Sequence, residues 1–534
     1  MKHSTLEQLA LGWARKPIRT GRMSRREFIQ LALAAGATVA AADTLFTSEV
    51  RAAPKNGGSF KAALGNGASS DTLDPTTWGT NFYTSEFGTL LSEQLLNIDQ
   101  KNGLVPRLAE SFTTEDGAKK WVFTLRKGVT FLNGKTVTAN DVVASINAHR
   151  GEKSKSGSKA GLAIVDDLKA DGDKVIFTLK SGSVDFGYEL ASYRVSVFPA
   201  KEGGIDWAAG GCGAFKVKHF DPGVTLQATK NPNYWDAANV HFDEVELLVV
   251  SDPVARTNAL LTGTVHYIDR CELKTIGQLQ KKKDIEIDNV TGFSHLVATM
   301  NTTMAPFNDP NVRLALKHAF DRKELLTKIL YGFGTVGNDN PFAPTMKFAT
   351  KPEPQHTFDP AKAKKYLQKA GLSTLKIDLS TSDAAFPGAL DAALLMKATA
   401  AKCGIDINIV KEPADSYWDV VWLKKPFMLS YWGGRSSIDT MATQAYAADA
   451  AWNDTFWKPA RFNELLVAAR AEANEAKRAG MYAEMQQMLH DDGGQIVLMF
   501  NNYVGAHTKK VAHGALNSNL DHDGSYMWRR WWFA

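Results

Sequence analysis

Two kinds of periodicity alternate along this 534-residue chain, and no other feature restricts its fold as much. Trp121-Val122-Phe123-Thr124-Leu125-Arg126 and Lys174-Val175-Ile176-Phe177-Thr178-Leu179 alternate with period two, the pattern of strands with one buried face. Helical patterns lie between and after them. Asp309-Pro310 predicts a helix start, because Asp is a good N-cap and Pro suits the first helical position. Val312, Leu316 and Phe320 then recur four residues apart beside Ala315 and Ala319, which gives an apolar stripe. Asp359-Pro360 repeats the signal, carries Ala363, Tyr366, Leu367 and Ala370 on one face, and stops at Gly371 as a C-cap does. Strands alternating with helices predict an α/β architecture, and no short-period repeat suggests a solenoid or propeller. At roughly 100–200 residues per domain, the length allows two to four domains. Gly151–Gly161, rich in Ser, Gly and Lys, reads as an exposed loop.

Composition (44% hydrophobic, 22% charged) excludes a disordered chain. The net charge of +5 is local: residues 1–52 hold eight of the 62 Lys/Arg and four of the 57 Asp/Glu, which leaves 54 against 53. A body so nearly neutral gives no electrostatic reason for a nucleic-acid partner. Ser24-Arg25-Arg26-Glu27-Phe28-Ile29 resembles the twin-arginine export motif, and the mildly apolar Leu31–Ala42 follows it, too short for the ~20 residues that span a bilayer. Val50-Arg51-Ala52 offers a cleavage site, so residues 1–52 read as a signal peptide and the mature start is expected near Ala53. An amphipathic N-terminal helix is the plain alternative. With no Cys near the cleavage site and no later apolar run of ~18 residues, the mature protein is expected to be soluble and without a lipid anchor. Cys212, Cys271 and Cys403 read as three buried thiols, the alternative being one bridge and one thiol.

Further blocks carry a family likeness. The first is Pro106-Arg107-Leu108-Ala109-Glu110-Ser111, then Trp121–Val129, Phe131-Leu132-Asn133-Gly134-Lys135 and Thr138–Val143. The second is Met300-Asn301-Thr302, Pro306-Phe307-Asn308-Asp309, Val312-Arg313 and Ala319-Phe320-Asp321-Arg322. The third is Phe358–Ala363 with Ala370-Gly371, and Gly211-Cys212-Gly213-Ala214-Phe215 stands where the pattern is usually G-T-G-P-F. Together they resemble the large substrate-binding proteins of peptide, nickel and opine ABC importers, solute-binding protein family 5. The resemblance implies a two-lobed periplasmic-binding-protein fold of type II, in the large peptide-binding class. It places 53–100, 211–300 and 496–534 in the first lobe, an inserted subdomain at 101–210, and the second lobe at 301–495. A periplasmic monomer that captures a short peptide or opine-like conjugate and delivers it to permease subunits is the implied function, with no catalytic residue, cofactor or resident metal.

Tyr431-Trp432-Gly433-Gly434-Arg435 is the leading ligand candidate: rings for stacking, glycines for close backbone approach, and a guanidinium that can grip a carboxylate. A strand end with a core aromatic and a surface Arg is the plain alternative. Dipeptide binders of the family show W-T-G-D-N-G-D-P-D here, with the first Asp gripping the ligand's amine, and Arg435 stands at that Asp. Their R-P-Y is also missing; Ser382-Asp383-Ala384-Ala385-Phe386-Pro387 takes its place. An acidic ligand group is therefore expected. Trp78, Thr80, Asn81 and Tyr83, after Leu73-Asp74-Pro75 where the family's first ligand-facing region begins, are further ligand-contact candidates on a loop into a helix, the alternative being that they cap or pack that helix. Asp439 would bind an amine or cap the next helix, whereas Tyr417 and Trp418 read as core.

Other classes remain as alternatives: an exported enzyme, a metal-chelate binder, or a chaperone-like peptide holder. Gly332-Phe333-Gly334-Thr335-Val336-Gly337 matches G-x-G-x-x-G, but it follows a helix rather than a strand, so it lacks the context of a phosphate site. The twelve His show no metal-ligand spacing.

Overall fold

The structure, a computed structural model, describes residues 54–65, 67–78, 82–414 and 416–534. The export motif, its cleavage site, Thr80 and Asn81 lie outside the described residues.

The alternating segments become strands as their period demands. In Lys120–Leu125, Trp121, Phe123 and Leu125 are buried while Lys120, Val122 and Thr124 are half-buried. Lys174–Leu179 does the same, and both belong to a four-stranded antiparallel sheet with Ala109–Glu115 and Val165–Asp171. Trp121, Phe123, Phe177 and Phe186 pack together beneath it, each burial contributing about 1.5–3 kcal/mol. This sheet is separate from the large mixed sheet and lies within the segment expected to be the inserted subdomain.

The two Asp-Pro signals also hold. Asp309 accepts from the Asn311 N–H at 2.7 Å and caps Pro310–Lys317; Asp359 accepts from Lys362 N–H at 2.9 Å and caps Pro360–Lys369. Val312, Ala315, Leu316, Ala319 and Phe320 are all buried, but the helix ends at Lys317, and Phe320 reaches the core from the turn that follows. The three thiols are buried and unbridged.

One eleven-stranded mixed sheet runs through both lobes. Its centre is a pair of long antiparallel strands, Ile285–Met300 and Gln495–Thr508. Residues 285–291 pair with 502–508 on the first-lobe side, and 295–299 pair with 495–500 on the second-lobe side. The ladder shifts register between Thr291 and His295, and such a bulge is where a strand pair bends. We call these the hinge strands. Two glycines of the G-x-G-x-x-G match pack against one of them: Gly334–Val336 pairs with Met499–Asn501, and a Cβ at Gly334 or Gly337 would stand 2.4 or 2.1 Å from a carbonyl oxygen of Phe500 or Val497, while Gly332 turns the chain before them at φ +84°. The motif serves close strand approach, not a phosphate.

Around this centre the apolar core divides. Phe60, Phe242, Leu247, Trp528 and Trp531 fill the first lobe, while Leu316, Met396, Leu429 and Ile496 fill the second. Among the described residues, no helix is long and apolar enough to cross a membrane.

Candidate ligand-binding site

Strand direction locates the cleft. In the first lobe Ser59–Leu64 runs parallel to Glu244–Val249 and to Tyr267–Ile268, and Tyr267–Ile268 is antiparallel to the end of Gln495–Thr508. That hinge strand travels from second lobe to first, so the first-lobe strands point their carboxyl ends toward the second lobe. In the second lobe Leu375–Thr381, Ile405–Lys411 and Phe427–Trp432 are mutually parallel, and Phe427–Trp432 is antiparallel to the end of Ile285–Met300. Their carboxyl ends therefore point back at the first lobe. Two sets of carboxyl ends face each other across the hinge, the position where open α/β sheets bind ligands.

On the second-lobe side, the chain leaves Phe427–Trp432 through Gly433-Gly434-Arg435. Adjacent strand residues point to opposite faces, and the two aromatics separate accordingly. Trp432 is buried, with its Nε1–H donating to Asp454 Oδ2 at 3.2 Å. Tyr431 is 46% exposed and meets Trp418 edge-on at 5.6 Å. Trp418 itself is 39% exposed, which corrects its assignment to the core; Tyr417 is buried as expected. Gly434 is needed for a reason other than ligand approach, since a Cβ there would lie 2.3 Å from Phe293 Cβ on the hinge strand.

Arg435 is held in place by its own lobe. Its Nε–H donates to Gln444 Oε1, and Nη1–H donates to the carbonyls of Gly433 and Gly434 at 2.9 and 3.0 Å. Burial pushes its pKa down, Glu189 of the inserted subdomain pulls the other way, and no carboxylate among the described residues forms an ion pair with it. Asp439 is not available as an alternative anchor for an amine: it pairs with Arg470 at 3.1 Å, and Ser437, not Asp439, caps Ile438–Ala445. Burial raises Asp439 to about 6.

On the first-lobe side, Trp78 is buried with its Nε1–H on the Thr72 carbonyl at 2.8 Å, and Tyr83 is buried edge-on to Phe87 at 5.0 Å. Both belong to the first-lobe core. Arg194 donates from Nε to the Trp78 carbonyl at 2.9 Å. The lobes touch beside the site: Val184 N–H donates to Arg470 O at 2.9 Å, and Asp185 pairs with Arg478 at 3.2 Å.

Residues 103–454 match the family model described as bacterial extracellular solute-binding proteins, family 5, middle region. The chain belongs to this family. This solute-binding protein is the substrate-binding component of an ABC importer, works in the periplasm with permease subunits, and is not an enzyme. It is 26% identical over 443 residues to the nickel-binding periplasmic protein of Escherichia coli K12, covering 76% of this chain and 82% of that one. It is 25% identical over 463 residues to di/tripeptide-binding protein 3 of Pseudomonas aeruginosa UCBPP-PA14, covering 78% and 85%. Its fold matches the binding protein AgaA of A. tumefaciens R10, solved with agropinic acid, with a TM-score of 0.72, 23% identity and coverage of 89% and 99%.

Arg270 of this solute-binding protein escaped the sequence reading. It directly follows the Tyr267–Ile268 strand and Asp269, has φ +44°, and its side chain is 37% exposed while it pairs with Asp521 at 3.4 Å. Tyr503, on the opposite hinge strand from Phe293, feels the charges of Arg270 and Asp521. Arg435 thus meets Gly434, and Gly434 packs on Phe293 of the hinge strand. His295 is next to it, pushed down to about 4 by burial, so it is neutral at pH 7 and adds no charge. Nothing in the local sequence around Arg270 marks it; its place is set by where the strand ends.

Proposed function

We propose that this protein captures a solute bearing a carboxylate, a short peptide or opine-like amino-acid conjugate, and that Arg435 receives the acid. The observation that carries the reading is a half-buried guanidinium without an ion-pair partner, positioned at a strand end that faces the other lobe. Burying an unpaired charge is costly, and a ligand carboxylate on Nη2 would compensate it through a charge-assisted hydrogen bond. Tyr431 and Trp418 supply apolar ring faces next to the acid site.

In this proposal Gly433, Gly434, Trp432, Trp78 and Tyr83 shape the cleft, and Asp439 holds Arg470. The boundaries near residues 101, 210, 301 and 495 delimit the moving bodies, and the mature protein acts as a monomer after twin-arginine export. Isothermal titration of the mature protein against peptides and opines, each as free acid and as amide, tests the ligand class. Binding restricted to free acids supports it, while equal affinity for the amides removes Arg435 from the role. Replacing Arg25 and Arg26 together by Lys tests the export route: the protein is expected to accumulate in the cytoplasm, and undiminished export would exclude that route.

A further inference from the structure

Away from the cleft, two histidines converge on one carboxylate. Asp288 lies on the first-lobe half of Ile285–Met300, His507 on the adjacent Gln495–Thr508, and His513 on Val511–His513. All three are buried. His507 Nδ1 is 3.0 Å from Asp288 Oδ2, and His513 Nε2 is 2.9 Å from Asp288 Oδ1. One ligand atom from each lies within 4.8 Å of the others. Donors at 2.0–2.1 Å from a tetrahedral ion stand about 3.3 Å apart, so small rotations of the three side chains would close the set.

The outer nitrogens carry the argument further. His513 Nδ1 is 2.8 Å from the Gly514 carbonyl, which can only accept, so Nδ1 bears a hydrogen. In the neutral ring, the Nε2 lone pair then faces the Asp288 carboxylate, and two acceptors at that distance require a cation between them. His507 lacks such an outer hydrogen bond: its Nε2 stands 3.8 Å from Glu286 Oε2, an ion-pair distance only. An inner nitrogen aimed at a shared point and an outer nitrogen held by an oxygen is how proteins orient metal-ligating imidazoles.

We propose that Asp288, His507 and His513 form a binding site for a divalent transition metal, a two-histidine, one-carboxylate set suited to zinc, nickel or copper rather than magnesium or calcium. The site would tie the base of both hinge strands to the C-terminal segment, where Trp531 stacks on His513 at 4.6 Å. Five residues of extended strand, roughly 17 Å, separate Asp288 from Phe293 at the cleft, so the metal here is structural and not the captured solute.

The test is titration of the EDTA-treated mature protein with Zn(II), Ni(II) and Cu(II) against a chromophoric chelator, with electron paramagnetic resonance of the copper form. One equivalent bound with nitrogen hyperfine coupling from two imidazoles is expected. His513→Gln and Asp288→Asn should each weaken binding at least tenfold, while Arg435→Ala should leave it unchanged. Undiminished binding in folded His513→Gln would overturn the site. If a variant fails to fold, nitrogen-15 NMR of the wild type decides: a doubly protonated His513 in the presence of metal means that a proton, not an ion, bridges it to Asp288.

Discussion

The two strand ends that face each other across the hinge are built on opposite electrostatic plans. The first-lobe end is a closed network. Asp269 accepts from Gly65 N–H at 3.0 Å and pairs with Arg256 at 3.3 Å; His522 lies between Asp269 and Glu86 at 3.4 and 2.7 Å; Arg270 pairs with Asp521. The second-lobe end holds Arg435 with an amide and two carbonyls, groups that orient a guanidinium without neutralising it. A binding protein gains from this asymmetry. One wall is fixed by mutually satisfied charges, and the other keeps a charge whose counter-ion can come from the solute.

The sharpest way to break the comparison is Asp269→Ala, which strands Arg256 and His522 in the interior. A loss of about 3–5 kcal/mol is expected in urea unfolding, since removing one partner leaves buried charge uncompensated. Arg435→Ala should behave in the opposite manner. Folding stability should hold or rise slightly, because a desolvated charge is removed, while affinity for a carboxylate ligand falls by about 2–5 kcal/mol in calorimetry. If Arg435→Ala instead destabilises the fold as much as Asp269→Ala does, the two ends are not different in kind.

Gly434→Ala tests packing rather than charge. The added methyl meets Phe293 on the hinge strand, and a cost of about 1–3 kcal/mol is expected by thermal unfolding. The pH dependence of the first-lobe network is of comparable size. Burial lowers the His522 pKa, but Glu86 and Asp269 outweigh it and hold it up to about 10. A histidine raised in the folded state stabilises fully below its unfolded value near 6.5 and loses that contribution as pH rises toward 10. Stability should therefore decline by at most about 1.4 kcal/mol per unit between pH 7 and 9, and His522→Gln should flatten the slope. An unchanged slope in that variant would take His522 out of the network's electrostatics.

How much was legible follows from the range of the interactions involved. The strands at 120–125 and 174–179 and both Asp-Pro helices were readable because period and capping act within a few residues. Tyr431 and Arg435 were readable as a pair of chemical types at a strand end. That Tyr431 faces out while Trp432 turns inward was not, because alternation fixes opposite faces without naming which one is covered. Trp418 was misplaced for the same reason: its exposure depends on what packs over the segment after Ile405–Lys411.

The histidines show the limit most clearly. Six residues separate His507 from His513, no metal-ligand spacing, and Asp288 is 219 residues from His507. Arg270 and its partner Asp521 are 251 apart. By itself the sequence determined the α/β alternation, the capped helices, the family blocks and an arginine just after a strand end. Only the tertiary structure decided which charges are neutralised, because a counter-charge is chosen by proximity in space. That choice leaves Arg435 without a carboxylate partner among the described residues and pairs Arg270, Asp269 and His522 at the facing strand end.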